Sequence, residues 1–256
     1  GPITGLAWGM SEIPHSARLW NYWLGGTDNY EVDRAAGDEI ARRLPSIVAL
    51  AREDRRFLRR MVRFLVEERG IRQILDIGAG LPTAENTHQV APGARVTYVD
   101  SDPLVLEMGT RLLGGAPNAA YVEGDLNNPA GILKNAALDF SEPVAITLLG
   151  IVHFVRDDAR AREIIGELVA AVPPGSYLVV AHACRDINTE EADDVVAYWN
   201  AHGTPKIKYR SAAEITRYFD GLELLEPGVV PCNRWRPDAE TGHADVNQFC
   251  GVARKP

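Results

Sequence analysis

The stretch ILDIGAGLPT, residues 74–83, decides how the chain is read. It runs from an apolar strand into a glycine turn, then into Pro82 and Thr83, which suit the first turn of a helix. In an open α/β sheet, ligands bind outside the carboxyl ends of the strands, and the turn after the first strand lies there. Gly78 and Gly80 carry no side chain, so the backbone can turn sharply and approach a ligand closely. The spacing is G-x-G-x-x-T, with Thr83 where a dinucleotide fingerprint has its third glycine, so a strict NAD motif is absent. Asp76 sits inside the end of the strand. A pyrophosphate there would meet a like charge, whereas an ammonium or sulfonium would be favoured.

Two further carboxylates follow on the next two predicted strands. ARVTYVDSD brings Asp100, followed by Ser101, to a strand end twenty-four residues after Asp76. An acid at that position can accept both hydroxyls of a ribose. AAYVEGDL ends in Asp125 and Leu126; the carboxylate can accept from an adenine amine and the Leu126 backbone can read the neighbouring ring nitrogen. A cation near Asp76, a ribose at Asp100 and an adenine at Asp125 describe S-adenosyl-L-methionine better than NAD. With Ala79 of the turn, these residues form the expected cofactor site. The plain alternative is a structural turn with aspartates capping helices.

The surrounding pattern supports an α/β fold. Residues 14–70 read as three helices: SARLWNYWL, stopped by Gly25 and Gly26; NYEVDRAAGDEIARRL, closed by Pro45; and SIVALAREDRRFLRRMVRFLVEER, stopped by Gly70. From residue 71 short strands alternate with helices, through the almost wholly apolar run PVAITLLGIVHFV, read as a central strand, the helix DDARAREIIGELVAAV and the strand SYLVVAHAC. A polar helical stretch, the helix SAAEITRYFDG and the strands LELLEPGVV and QFCGVARK complete the chain. This predicts a doubly wound, Rossmann-like α/β sheet with an antiparallel pair at its edge. The expected organisation is an N-terminal helical lid over 1–70 and a cofactor-binding domain over 71–256.

Composition narrows the function. The 256 residues are 46% hydrophobic, enough for a sizeable core, and the net charge of −8 argues against nucleic acid as a partner. Within REDRRFLRRMVRF (52–64) the arginines alternate with apolar residues at helical spacing, so it reads as a solvated helix face. Cys184, Cys232 and Cys250 are far apart and form no CxxC pair, which gives no zinc signature and suits a reducing cytoplasm, the expected location. No apolar run is long enough for a membrane span, and no charged-then-apolar leader opens the sequence.

These blocks resemble a known family: actinobacterial S-adenosylmethionine-dependent methyltransferases long catalogued as a domain of unknown function. The resemblance rests on ARLWNYWLGGTDNYEVDR, DIGAGLPTAENTHQVA, ARVTYVDSDPLVL, GDLNNP, VHFVRDD, PPGSYLVVAH and RSAAEITRYFDGLELLEPGVV with RWRP, and so covers nearly the whole chain. It implies the class I methyltransferase fold with an antiparallel last strand and a helical N-terminal addition, but supplies no substrate.

Methyl transfer requires alignment of nucleophile, methyl and sulfur, limited access of water and, for a protonated acceptor, a base. Trp20, Tyr22 and Trp23 offer apolar area to a lid. Asp28, Asn29 and Tyr30 read either as cofactor contacts under it or as caps and packing. Arg34 reads as a partner for the methionine carboxylate or as a surface ion pair. Gly150, after the fourth strand, would admit the cofactor's sulfonium side. His153 is the candidate base, or else a packed core histidine. Tyr22, His182 and Trp235 are candidate acceptor-binding residues, with Asp186 nearby and the basic, aromatic NRWRP loop as a possible anion site or interface. Asn86 and His88 either reach the cleft or cap and pack. Asp157, Asp158, Asp193 and Asp194 read as helix starts or surface rather than metal ligands, and no metal is expected. The expected activity is methylation of a small molecule; the rivals are a module that binds the adenosyl cofactor without turnover and an NAD(P)-dependent oxidoreductase.

Overall fold

A computed structural model describes residues 12–80 and 85–256. Pro82 and Thr83 lie outside the described residues. Eight strands form one sheet: β1 (Gln73–Ile77), β2 (Arg95–Asp100), β3 (Ala119–Glu123), β4 (Ala145–Leu149), β5 (Tyr177–Ala183), β6 (Glu223–Leu224), β7 (Val230–Pro231) and β8 (Gln248–Arg254). Their order is β3-β2-β1-β4-β5-β8-β6, with β7 also on β8. The first five run parallel; β8 lies antiparallel to β5 and carries β6 and β7 antiparallel on its other side. This is the predicted doubly wound sheet with an antiparallel last strand, and the strand order reverses between β1 and β4, where ligands of such sheets bind.

The central strands are apolar because both their faces are covered. β1 and β5 are buried along their whole length, while the edge strand β3 is mostly exposed or half-buried. Alternation of side chains sorts each strand between two cores. Ile74, Val96, Ala145, Val179 and Val252 join one cluster with Leu19, Ile40, Leu50, Phe57 and Leu65 of the N-terminal segment. Leu75, Ile77, Val99, Ile146, Leu148 and Val180 join the other, with Ile132, Ile164 and Ile215. The helices α1 (Ser16–Trp23), α2 (Glu31–Arg43) and α3 (Ile47–Arg63) thus share a core with the sheet and roof one face. On the opposite face lie α6 (Pro129–Asn135), α7 (Asp158–Ala171) and α9 (Ala212–Thr216). Two short helices, α4 (Thr87–Val90) and α5 (Pro103–Leu113), and the polar α8 (Thr189–His202) complete the set of α-helices among the described residues.

Helix ends follow local chemistry. Asp102 caps α5 by accepting from Leu104 N–H, Pro103 starts it and Gly114 ends it in the left-handed region. Asp157 caps α7 and Ser211 caps α9, the latter in a capping box with Glu214. α3 runs on into a π-helical turn, Phe64–Glu68, before Gly70 at φ +68°.

Three expectations are corrected. The apolar run predicted as one long strand stops at Leu149, because Gly150 takes φ +66° and the chain turns into a 3-10 helix, Val152–Phe154. LELLEPGVV is two two-residue strands, because Pro227 offers no N–H and Gly228, at φ +81°, closes a turn by donating to Leu225 O. The basic run of α3 is solvated except at one arginine: Arg52 and Arg63 are exposed and Arg55, Arg56 and Arg59 half-buried, but Glu53, Asp54 and Arg60 are buried, and Arg60 donates to Trp235 O and Cys232 O.

The helical roof is fastened at one buried ion pair. Arg18 Nε lies 2.8 Å from Asp33 Oδ2, with the two side chains 1% and 0% exposed. Asp33 also accepts from Tyr30 N–H and His15 N–H. Asp33→Ala leaves that guanidinium inside without its charge partner and should destabilise the fold by about 3–5 kcal/mol. The loss is read as a lower urea midpoint at unchanged slope.

Candidate functional site

Between the roof and the carboxyl ends of β1, β2, β4 and β5 lies a cavity of about 360 Å³, within the size range of small-molecule sites. The β1 turn forms its floor. Gly78 and Ala79 donate backbone N–H to Val99 O, which pins the turn to β2. Gly78 has φ +77°, and a Cβ there would run into Ile151 Cδ1; Gly80 has φ +68°, and a Cβ there would meet nothing within 4 Å among the described residues. Gly80 N–H donates to Asp100 Oδ2 at 3.0 Å, while Asp100 Oδ1 accepts from Asp102 N–H at 3.0 Å. Both oxygens of Asp100 keep lone pairs for further donors. Burial raises its pKa.

Asp76 faces the roof, because its strand neighbours Leu75 and Ile77 point to the other core. It pairs in register with Thr147 on β4, whose hydroxyl donates to Asp76 Oδ1 at 2.9 Å. Burial pushes its pKa up to about 6, against that hydrogen bond. Across the cavity, Asp54 on α3 is also buried and raised to about 6, again chiefly by burial. Its Oδ1 accepts from Gln248 Nε2 at 3.2 Å. Arg55 is the only Arg or Lys among the described residues that line the cavity; it also donates to Glu85 O.

The wall beyond β4 carries His153. Its ring lines the cavity edge-on to Phe154, and its Nδ1 is enclosed without a hydrogen-bond partner. Burial, then the charge of Arg210, lowers its pKa to about 4, so the ring is neutral near pH 7. Arg210 holds this wall in place: it donates to Val152 O and Val155 O, at either end of the 3-10 turn, and pairs with Asp158. Trp20, Trp23 and Trp199 close the roof.

Of the sequence-predicted residues, Asp76, Gly78, Ala79, Gly80, Asp100, Ser101, Gly150 and His153 come together at the cavity, with Trp20 and Trp23 from the N-terminal helix. The others do not line it, each for a visible reason. Asp125 is exposed in a turn, accepting from Asn127 N–H, and Leu126 is packed in the core behind β3. Asn29 bonds Asn21 and Gly26 O, Asp28 N–H also reaches Asn21, and Tyr30 packs against Arg18 and Val105, so these three knit the roof together. Arg34 is held by Asn29 rather than by an acid. Tyr22 points to the outer surface, its hydroxyl donating to Asp38. His182 lies behind the wall, accepting from Arg210 at Nε2 and donating from Nδ1 to Ala183 O. Trp235 is 0% exposed between Phe57 and Phe64, which rules out contact with an acceptor in the cavity. Asp186 accepts from Ala212 N–H. Asn86 caps α4, and His88 bonds the Tyr98 hydroxyl, so the cap-and-pack reading holds.

Asp54 and Arg55 escaped the sequence reading. The signal was present: Ile47, Leu50, Ala51, Leu58, Met61 and Leu65 form an apolar stripe at helical spacing, and Asp54 interrupts it. An acid on a buried stripe needs a reason, and here the reason is the cavity.

Two stability measurements check this geometry. Gly78→Ala forces a methyl group into Ile151, whereas Gly80→Ala pays only for the left-handed backbone, about 1–2 kcal/mol. Thermal melts should therefore show the Gly78 variant as clearly the weaker of the two. Asp54 and Asp76 bind protons more tightly folded than unfolded, so stability is fullest below about pH 4 for these groups. It is lost as pH rises through about 6. Asp76→Asn should remove on the order of 2–3 kcal/mol of that pH dependence in urea titrations between pH 4 and 7.

Comparison with known proteins identifies the family and the fold. A DUF574 family protein from Streptomyces avermitilis is 41% identical, with 96% of this chain and 98% of that chain covered at a TM-score of 0.90. A protein from Thermobifida fusca, provisionally described as a methyltransferase, is 37% identical over 95% and 96% of the two chains, at 0.88. At 12% identity and a TM-score of 0.57, the magnesium protoporphyrin IX methyltransferase of Synechocystis, solved with S-adenosylhomocysteine bound, shares the fold. No curated protein sequence matches. Among the described residues no helix is long and apolar enough to cross a membrane. The match to the S-adenosyl methyltransferase family spans residues 10–256, and the chain belongs to that family, with S-adenosylmethionine as its cofactor.

Proposed function

We propose that the protein transfers the methyl group of S-adenosylmethionine to a small molecule held in the cavity under the helical roof. The observation that carries this is the ordered row of groups along one sheet edge: Asp100 at the end of β2, the Gly78 to Gly80 turn and Asp76 on β1, and Gly150 after β4, all lining one cavity. Asp100 would take the ribose hydroxyls on lone pairs not used by Gly80 and Asp102. Asp76, buried with only a hydroxyl for a partner, suits the methionine ammonium, and Arg55 suits its carboxylate. Asp125 and Leu126, at the end of β3 beside the strand of Asp100, stay candidates for the adenine end.

When bound, the cofactor supplies an electrophilic methyl on sulfur. The chain's part is to align and to exclude water. Gly150 lets the wall come close, since its left-handed turn carries no side chain. His153 lines the far wall as a neutral imidazole able to accept a hydrogen bond from the acceptor. Trp20, Trp23 and Trp199 cover the cavity with apolar surface.

Calorimetry with S-adenosylhomocysteine tests the assignment. Asp100→Ala should lose about 1.5–3 kcal/mol of binding, the scale of charge-assisted hydrogen bonds. NADH should not bind. Unchanged affinity in the variant would remove the ribose assignment, and release of S-adenosylhomocysteine that depends on an added acceptor would establish turnover.

A further inference from the structure

We propose that the methyl acceptor is a protonated amine on an apolar, ring-sized scaffold, and that Asp54 is the residue that receives its ammonium. The inference rests on the methyltransferase reading of the cavity and adds to it the class of the second substrate.

The argument begins with an unused carboxylate oxygen. Asp54 is 6% exposed and lines the cavity. Its Oδ1 accepts from Gln248, and Oδ2 has no hydrogen bond from the described residues. A buried carboxylate is costly unless it meets a positive or donating partner. The apolar stripe of α3 would be better served there by leucine, so the acid is retained against the packing preference of its own helix. Arg55, next in sequence, acts on Asp54 only as a nearby charge; it makes no hydrogen bond to it.

Position assigns the acid to the acceptor rather than to the cofactor. Gln248 starts β8 and pairs in register with Ala183 of β5, so it stands beyond β4 from the cofactor row. Its amide nitrogen would lie 3.3 Å from a Cβ placed on Gly150, which sets Asp54 over the wall where the sheet passes from cofactor to acceptor. The cofactor's ammonium and carboxylate already have Asp76 and Arg55. Besides Asp54, Gln248, His153 and Tyr209, the same cavity is lined by the apolar Trp199, Phe154, Ile207 and Val195. Aromatic faces favour a cation beside them, and one buried acid gives that cation an address.

The same acid has a place in the transfer. The ammonium yields one proton to the Asp54 carboxylate, the freed nitrogen lone pair forms the bond to the methyl carbon, and the carbon–sulfur pair stays on sulfur. Burial makes Asp54 a better base than an exposed aspartate, whereas burial and Arg210 make His153 a weaker one. His153 is left to accept a hydrogen bond.

Three probes of one shape and different charge test this on the S-adenosylhomocysteine-saturated protein: tryptamine, the alcohol tryptophol and the anion indole-3-acetate. Calorimetry should show tryptamine binding about tenfold or more tighter than tryptophol, the scale of one charge-assisted contact, with indole-3-acetate weakest. Asp54→Asn should erase the preference for tryptamine and leave the affinities for S-adenosylmethionine and S-adenosylhomocysteine equal to wild type; Asp54→Glu should restore part of the preference. Absence of charge preference in the wild type, or no binding of any probe, overturns the proposal whether or not the variants fold. A variant that loses S-adenosylmethionine but keeps S-adenosylhomocysteine also overturns it, because Asp54 would then face the sulfonium. Failure of S-adenosylhomocysteine to bind the wild type would instead count against the methyltransferase reading itself.

Discussion

A carboxylate withdrawn from water must be compensated, and for Asp76 on β1 the compensation among the described residues is one hydroxyl and the nearby charge of Arg55. Asp76 is buried, bonded to Thr147 and otherwise turned toward an open space. Its cost is visible in a pKa raised to about 6. In the proposed reading, the cofactor's ammonium completes the set. The neighbouring elements hold that carboxylate in place: the glycine turn beside it, the β4 partner that fixes its oxygen, and the helical roof above it.

The roof is therefore part of the site. α1, α2 and α3 share one apolar cluster with the sheet, and the Arg18–Asp33 pair together with the Asn21–Asn29 bonds fixes how they cross it. Below, the wall that carries His153 is shaped by Arg210, which reaches from the segment before α9 to carbonyls at both ends of the 3-10 turn and to His182 behind it. Several residues with conspicuous chemistry thus act at one remove. They set the positions of the groups at the cavity without touching its contents.

The cofactor row was legible because strand ends report themselves locally. A buried strand, a GxG turn and an acid at each strand end are short-range patterns, and in a parallel sheet all strand ends fall on one edge. Asp76, Gly78, Gly80, Asp100 and Gly150 all line the one cavity. Tyr22, His182 and Trp235 were misplaced for the opposite reason. Sequence shows an aromatic or a histidine near the site but not which way it points. A single residue step along α1, about 100° of rotation, separates Tyr22, which points outward, from Trp23, which points inward, and Trp235 is claimed by Phe57 and Phe64.

By itself, the sequence determined the order of strands and helices, the glycine turn and the acids that follow it, since each depends on the residue's own strand and its immediate neighbours. Tertiary structure alone decided the partners across long separations. Asp54 meets Gln248 194 residues away, and Arg60 meets Trp235 O 175 residues away. Such pairings are made by the packing of α3 on the sheet, where one helix turned by a few tens of degrees would present different side chains. That is why the roof, and with it the α3 side of the cavity, becomes readable only once the chain is folded.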